Sequence, residues 1–303
     1  MFKLVTLFVL CALTSAWGWQ GHDSVVLVAK EFFDPMTIKY TDLLLKDSKY
    51  DIVKSSTWAD VVKNALPWSK PSHYANSDEK HVDNNGTCGK FSDENQTDPL
   101  FNIIAAITNY TERADCHRRQ PLDFTQRLEA LKFLLHYVGD ITQPLHVCGR
   151  NKGGNDDKVT FGNKKTNLHA VWDSNIIEKR ISEISQNTTN EQHVRDYGKY
   201  LAKQLRGRQG VYADADSWVS SIRTKFNKFN SRKSWVVPIE WAQDSNGIDC
   251  TVVWPSYLED PTQDLSLKYY EDAKYIIDLQ IAKAGYRLAT LLNKLYYACR
   301  RFV

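Results

Sequence analysis

Apolar residues recur at helical spacing over several long stretches of the chain. They run from Ile103 to Tyr110, from Leu128 to Tyr137, and from Tyr275 to Tyr297, where Ile276, Leu279, Ala282, Tyr286, Ala289 and Leu292 fall on related faces. Alternation of apolar and polar positions, the mark of half-buried strands, is scarce. The pattern predicts a mostly α protein of packed helices. Asp123, Asn190 and Asp264 stand where N-caps belong, Asp264 ahead of the long final helix. Glycine, proline and polar residues gather in 76–97, 149–166 and 230–262, which read as loops between helices. The first two are long enough to carry function or to be tethered by disulfides. With no internal repeat, low-complexity tract or linker, a single helical domain over 17–303 is the simplest division.

The amino terminus breaks this pattern. Leu4 to Leu13 is apolar, follows Lys3 and ends in the small residues Thr14-Ser15-Ala16, so residues 1–16 read as a signal peptide cleaved after Ala16. The apolar run is too short to span a bilayer, and Lys283, Arg287 and Lys294 interrupt the apolar carboxy-terminal region, so no membrane span is expected. The expected location is the secretory pathway, with the product secreted or held in a lysosomal or endosomal lumen. Of 39 Lys+Arg, the leader removes only Lys3, leaving 38 against 36 Asp+Glu. That balance is too near neutral to draw nucleic acid by net charge, so a polyanionic substrate would have to be attracted locally, for example by bound divalent metal. Oligomerisation is not indicated. Cys88, Cys116, Cys148, Cys250 and Cys299 remain after cleavage, which permits two disulfides and one spare thiol in an oxidising compartment. Sequons at Asn85, Asn95, Asn109 and Asn187 suit the same route and would put those residues on the surface.

Two pairs dominate the candidate chemistry, His136 with Asp140 in HYVGD and His169 with Asp173 in HAVWD. Residues four apart share a helix face, so each pair can aim an imidazole nitrogen and a carboxylate oxygen at one metal ion. His146 in QPLH, Asp60 in WAD, His73 in HYAN and His22 in WGWQGH add ligands of the same kind. A lone histidine is ordinarily a hydrogen-bonded structural residue. Here five of the eight histidines fall into one ordered set, leaving only His81, His117 and His193 outside it.

In order and local spacing these blocks resemble the class I zinc nucleases of fungi, plants and protists, the mung-bean-nuclease type. The blocks are WGWQGH at 17–22, WAD at 58–60, HY at 73–74, HYVGDITQPLH at 136–146, GGN at 153–155, HAVWD at 169–173 and LQIAKAGYRLA at 279–289. The resemblance implies the helical fold of the zinc phospholipase C and nuclease type, with long disulfide-tethered loops and three zinc ions. It would have Asp60, His73, His136 and Asp140 hold one ion, His146, His169 and Asp173 a second, and Trp17, His22 and Asp140 the third. Trp17 would serve through its free α-amine and carbonyl oxygen, so that leader removal completes the site. The implied activity is hydrolysis of single-stranded DNA and RNA to 5′-phosphate products, with 3′-nucleotides as further substrates. Asp60 would orient the nucleophile.

Three further residues belong to this reading, each beside a plainer one. Lys63, one turn after Asp60, would stabilise the phosphoryl transition state or is an exposed helical lysine. Tyr74 would stack under a base or pack in the core, and Asn155 would touch base or phosphate or simply belong to a glycine-rich turn. The resemblance also implies a Cys88–Cys250 disulfide, while Cys148 is open to being paired, free or a ligand. The insert at 86–97 has no match in the resemblance. Two rival readings share the metal set. A zinc phospholipase C resembles the chain less, because its amino-terminal tryptophan lies farther from the next histidine and its last pair ends in glutamate where this chain has Asp173. A non-catalytic zinc-binding protein would close its sites with four ligands, whereas His146, His169 and Asp173 leave a position open.

Overall fold

The computed structural model describes residues 17–77, 89–91, 101–116, 122–185, 189–225, 236–297 and 299. Helices come in the order α1 (Trp19–Lys30), α2 (Pro35–Leu45), α3 (Trp58–Val62), α4 (Ile103–Ala114), α5 (Phe124–Asp140) and α6 (Asn151–Gly154). There follow α7 (Leu168–Ala170), α8 (Ile176–Ile184), α9 (Asn190–Gly207), α10 (Ser220–Lys225), α11 (Val236–Ile248), α12 (Trp254–Glu259) and α13 (Lys268–Tyr296). The leader, all of the insert except residues 89–91, Asn85, Asn95, Asn187 and Cys88 lie outside the described residues. No helix among those described is long and apolar enough to cross a membrane.

The three stretches of helical periodicity are helices, as the pattern predicts, and all three line one apolar cluster. Helix α1 is wedged between α9 and α13 because two glycines clear its path. A Cβ on Gly198 would meet Leu27 at 2.7 Å, and one on Gly285 would meet Val28 at 2.6 Å. The opposite side of the core is α4 against α5, where Tyr110, Phe133 and Tyr137 stack in a row. Asp123 caps α5 by accepting from the Gln126 N–H. Asn190 instead begins α9, and Thr189 is the cap, its hydroxyl accepting from the Gln192 N–H.

Asp264 is not the cap of the final helix, which starts at Lys268 after Leu267. Its carboxylate is taken up elsewhere. Segment 149–166 contains a hairpin, β1 (Lys158–Phe161) against β2 (Lys164–Asn167), with Phe161 opposite Lys164. Gly162 and Asn163 make the two-residue turn at φ +57° and +65°. Asp264 accepts from the N–H groups of Gly162, Asn163 and Ser266 and thereby ties the turn to the start of α13. Nor is 230–262 simply a loop, since it holds α11, a π-helical turn over Asp249–Val253, and α12. The prolines that read as breakers, Pro238 and Pro255, fall in the first turns of α11 and α12, where no intrahelical N–H is required.

Cys116 and Cys299 form a disulfide that joins the end of α4 to the residues beyond α13. Cys250 is also disulfide-bonded. Cys148 is a free, buried thiol whose sulfur lies 3.4 Å from the Trp254 indole nitrogen, and burial pushes its ionisation well up. Asn109 is half-buried on α4, and Thr111 of its sequon is buried, so that sequon does not mark open surface.

Candidate metal centre

The end of α5 presents His136 and Asp140 to the core side, one helical turn apart, and both are fully buried. The two oxygens of Asp140 face different histidines. Its Oδ2 lies 3.2 Å from His136 Nε2 and 3.0 Å from His73 Nδ1, while its Oδ1 lies 3.2 Å from His22 Nε2 on α1. Asp60, delivered by α3, adds its Oδ1 at 3.7 Å from His136 Nε2 and 3.8 Å from His73 Nδ1. Below them, His146 and His169 stack at 5.0 Å, with Asp173 at 3.1 Å from His169 Nε2 and 3.8 Å from His146 Nε2. His169 lies within the short α7 and Asp173 stands on the π-helical turn Val171–Asn175, a local widening common at functional sites.

Three groups here bring ligand atoms close enough to share an ion: His22, Asp60 and His136; His73, His136 and Asp140; and His146, His169 and Asp173. All eight side chains proposed from the sequence thus meet in one place. Three of the histidines are oriented by backbone. His136 Nδ1 donates to the Ser56 carbonyl at 2.7 Å, His146 Nδ1 to the His73 carbonyl at 2.6 Å, and His169 Nδ1 to the Gly153 carbonyl at 2.7 Å. Each bond turns the opposite nitrogen, Nε2, into the cluster.

The fit to a cation rests on what these atoms lack. Both ring nitrogens of His22, Nε2 of His73 and His146, and Oδ1 of Asp140 are buried without a well-formed hydrogen bond. Buried polar atoms are nearly always satisfied, so such a concentration points to a group that binds them all. Electrostatics agree. Burial alone would lower His136, but Asp140 and Asp60 overcome it and push the imidazole up to about 9. Burial likewise resists ionisation of Asp60, yet His136 and His22 hold it down to about 2, and Asp140 goes well below its ordinary value. His22 is lowered by burial and by His136. The carboxylates therefore call for positive charge among them, which a divalent ion supplies without protonating the ligands.

The profile of the family described as S1/P1 nuclease matches residues 17–297. The chain belongs to the S1/P1 nuclease family. It is 31% identical over 292 residues to Nuclease P1 of Penicillium citrinum, covering 92% of this chain and 98% of that protein. Against Nuclease S1 of Aspergillus oryzae it is 31% identical over 296 residues, covering 94% and 93%. Endonuclease 2 of Arabidopsis thaliana is 29% identical over 303 residues, covering 98% and 97%.

Around this S1/P1 centre the remaining sequence candidates are placed unequally. Trp17 is fully buried, its indole donating to the Gly139 carbonyl at 2.9 Å, and the next N–H, of Gly18, donates to the Asp173 carbonyl at 2.7 Å. Lys63 is not an exposed lysine, since its side chain is only 13% exposed and its ammonium sits 3.0 Å from Asp60 Oδ1. Tyr74 is not core, being 40% exposed. Asn155 donates from its side chain to the Lys152 carbonyl within the turn. That turn is unusual, with Asn151, Lys152, Gly153 and Gly154 all at positive φ. Gly153 is required there, because a Cβ would lie 2.3 Å from the Leu145 carbonyl oxygen, and its own carbonyl is the one that orients His169. Sequence reasoning missed Gln143, which is fully buried and donates from Nε2 to Asp173 Oδ1 at 2.6 Å while its Oε1 accepts from the Leu145 N–H. Its signal was its place inside the HYVGDITQPLH block, three residues before His146.

Proposed function

We propose that the chain beginning at Trp17 is a zinc-dependent endonuclease that hydrolyses single-stranded DNA and RNA to 5′-phosphate products and also acts on 3′-nucleotides. The membership in a nuclease family supports phosphodiester hydrolysis, and the nucleases of fungi and the plant endonuclease among its relatives support nucleic acid as the substrate. The observation that carries the metal reading is the set of buried, unpartnered ligand atoms on His22, His73, His146 and Asp140. We assign Asp60, His73, His136 and Asp140 to one ion, His146, His169 and Asp173 to a second, and His22, Asp140 and the Trp17 backbone to a third.

Zinc, when bound, would lower the pKa of water from about 15.7 towards 7 and offset charge on the attacking and leaving oxygens. The protein's own residues do the rest. Asp140, with oxygens turned to two different histidine sets, holds two ligand groups in fixed register. Asp60, kept ionised, accepts a proton-bearing partner and orients it, while the Lys63 ammonium beside it offsets phosphoryl charge. The exposed Tyr74 ring offers a stacking face for a base, and Asn155, in the turn that orients His169, would touch base or phosphate. The amino-terminal leader routes the protein into the secretory pathway and frees Trp17. Elemental analysis of the chain starting at Trp17 should find three zinc ions, and chelation should abolish cleavage of single-stranded DNA. Active protein holding fewer than two tightly bound metals would defeat the reading.

A further inference from the structure

A cavity of about 350 Å³ is bounded by the start of α1, by α8 and by the start of α9. Its size is that of a small-molecule site. Trp19 walls it with an indole that is 43% exposed, although most tryptophans of this chain's core are fully covered. Ile181 is a buried apolar contact, and Gln20, Asn190 and His193 contribute hydrogen-bonding side chains. Glu178 adds a carboxylate, and among the described residues it makes no hydrogen bond through that group. Among the described residues no lysine or arginine lines the cavity. An anion is therefore the wrong occupant, and a flat, neutral ligand rich in N–H donors is the right one.

We propose that this cavity is a base-binding subsite for a nucleotide neighbouring the scissile phosphate, with Trp19 stacking on the base and Glu178 selecting guanine. The proposal rests on the single-strand nuclease reading and deepens it. Guanine presents two adjacent donors, N1–H and the N2 amino group, which one carboxylate accepts together. Adenine and cytosine each offer a single amino group on that edge, and uracil or thymine offers a single N3–H flanked by carbonyl oxygens that the carboxylate repels. Unpaired bases are read by stacking and by hydrogen bonds to this edge, which a duplex hides. Loss of solvent around Glu178 raises its carboxyl above the ordinary value, only partly opposed by the Lys164 charge, so donors that restore the charged form are favoured. The site is also in reach. Gly18, whose N–H bonds the Asp173 carbonyl, directly precedes Trp19, and consecutive Cα atoms are about 3.8 Å apart.

The test compares the zinc-loaded wild type with Trp19→Ala, Trp19→Phe and Glu178→Gln on single-stranded oligonucleotides that carry one guanine in a thymine background. Bis(4-nitrophenyl) phosphate, which has no base, reports the metal centre alone. Wild type should cut beside the guanine about tenfold more often than elsewhere, a preference in the range one two-bond base contact gives. Trp19→Ala and Glu178→Gln should flatten that preference with the bis(4-nitrophenyl) phosphate rate unchanged, and Trp19→Phe should retain most of it. A cleavage pattern unaltered in both Trp19→Ala and Glu178→Gln overturns the subsite. Failure of the wild type on every phosphodiester would instead overturn the nuclease reading beneath it.

Discussion

At the scale of single residues, the centre is organised by groups that touch the proposed ligands rather than by the ligands alone. Ser56, His73 and Gly153 give carbonyls that fix His136, His146 and His169 in one tautomer, and none of the three contributions depends on its own side chain. This is why such support is hard to read in a sequence, where only side chains are visible. Gln143 is different, because its amide must both hold Asp173 Oδ1 and accept from Leu145. Gln143→Leu removes both bonds in a buried place, leaving a carboxylate oxygen and an N–H unmatched at a cost of about 1–3 kcal/mol. Freed to rotate, Asp173 should bind metal less well, and loss of such a support typically costs about 10- to 100-fold in affinity. Competition with a chelator, followed by zinc content per chain, measures this. Zinc retention equal to wild type would show that Asp173 is held by its backbone and not by Gln143.

At the scale of elements, the strong helical periods were readable, since α4, α5 and α13 bury wide apolar faces and the pattern states this directly. The same holds for HYVGD, because a regular helix places residues four apart on one side. What was not readable came from tertiary context. The strands β1 and β2 have four residues each, and polar Lys164 and Lys165 hide their alternation, although Gly162-Asn163 is a recognised two-residue turn. Prolines at helix starts looked like breaks in 230–262. Asp264 looked like a cap because its residue type suits one, but its carboxylate has three N–H donors from the hairpin and from Ser266. That arrangement has a pH signature. Burial acts against the charged form, but the N–H groups of Ser266, Gly162 and Asn163 outweigh it and bring the pKa from 3.8 to about 2. A carboxylate lowered by folding stabilises the fold above its unfolded pKa and loses that contribution as pH falls through the folded one. Asp264→Asn should therefore be less stable than wild type near neutrality, by no more than about 1 kcal/mol for so open a group. The gap should close between pH 4 and 2. Denaturant midpoints across that window decide it, and a gap independent of pH would mean that ionisation of Asp264 is not what stabilises the fold.

At the scale of the whole molecule, the amino-terminal segment is held from two directions before it reaches the centre. Helix α1 is seated between α9 and α13 over Gly198 and Gly285, and Trp17 is locked by its indole to the Gly139 carbonyl one residue before Asp140. Gly18 is bonded to the Asp173 carbonyl. The backbone of residues 17 and 18 is thereby tied at one end to the residue before Asp140 and at the other to Asp173, and Asp140 Oδ1 has no well-formed hydrogen bond. An ordinary buried tryptophan would need the indole contacts only. Under the proposed function the α-amine of Trp17 is a ligand as well, and a single glycine placed before it turns that amine into an amide, a poor donor to zinc. The indole pocket and the helix contacts are untouched by such an extension, so the fold should remain, as should the ions held by His73 with His136 and by His146 with His169. Zinc content should fall from three ions to two, and single-stranded DNA cleavage should fall with it, while circular dichroism and melting of the extended protein stay close to those of the chain beginning at Trp17. Equal zinc content and equal cleavage in the two proteins would confine Trp17 to packing, and the third ion would have to be sought elsewhere or given up.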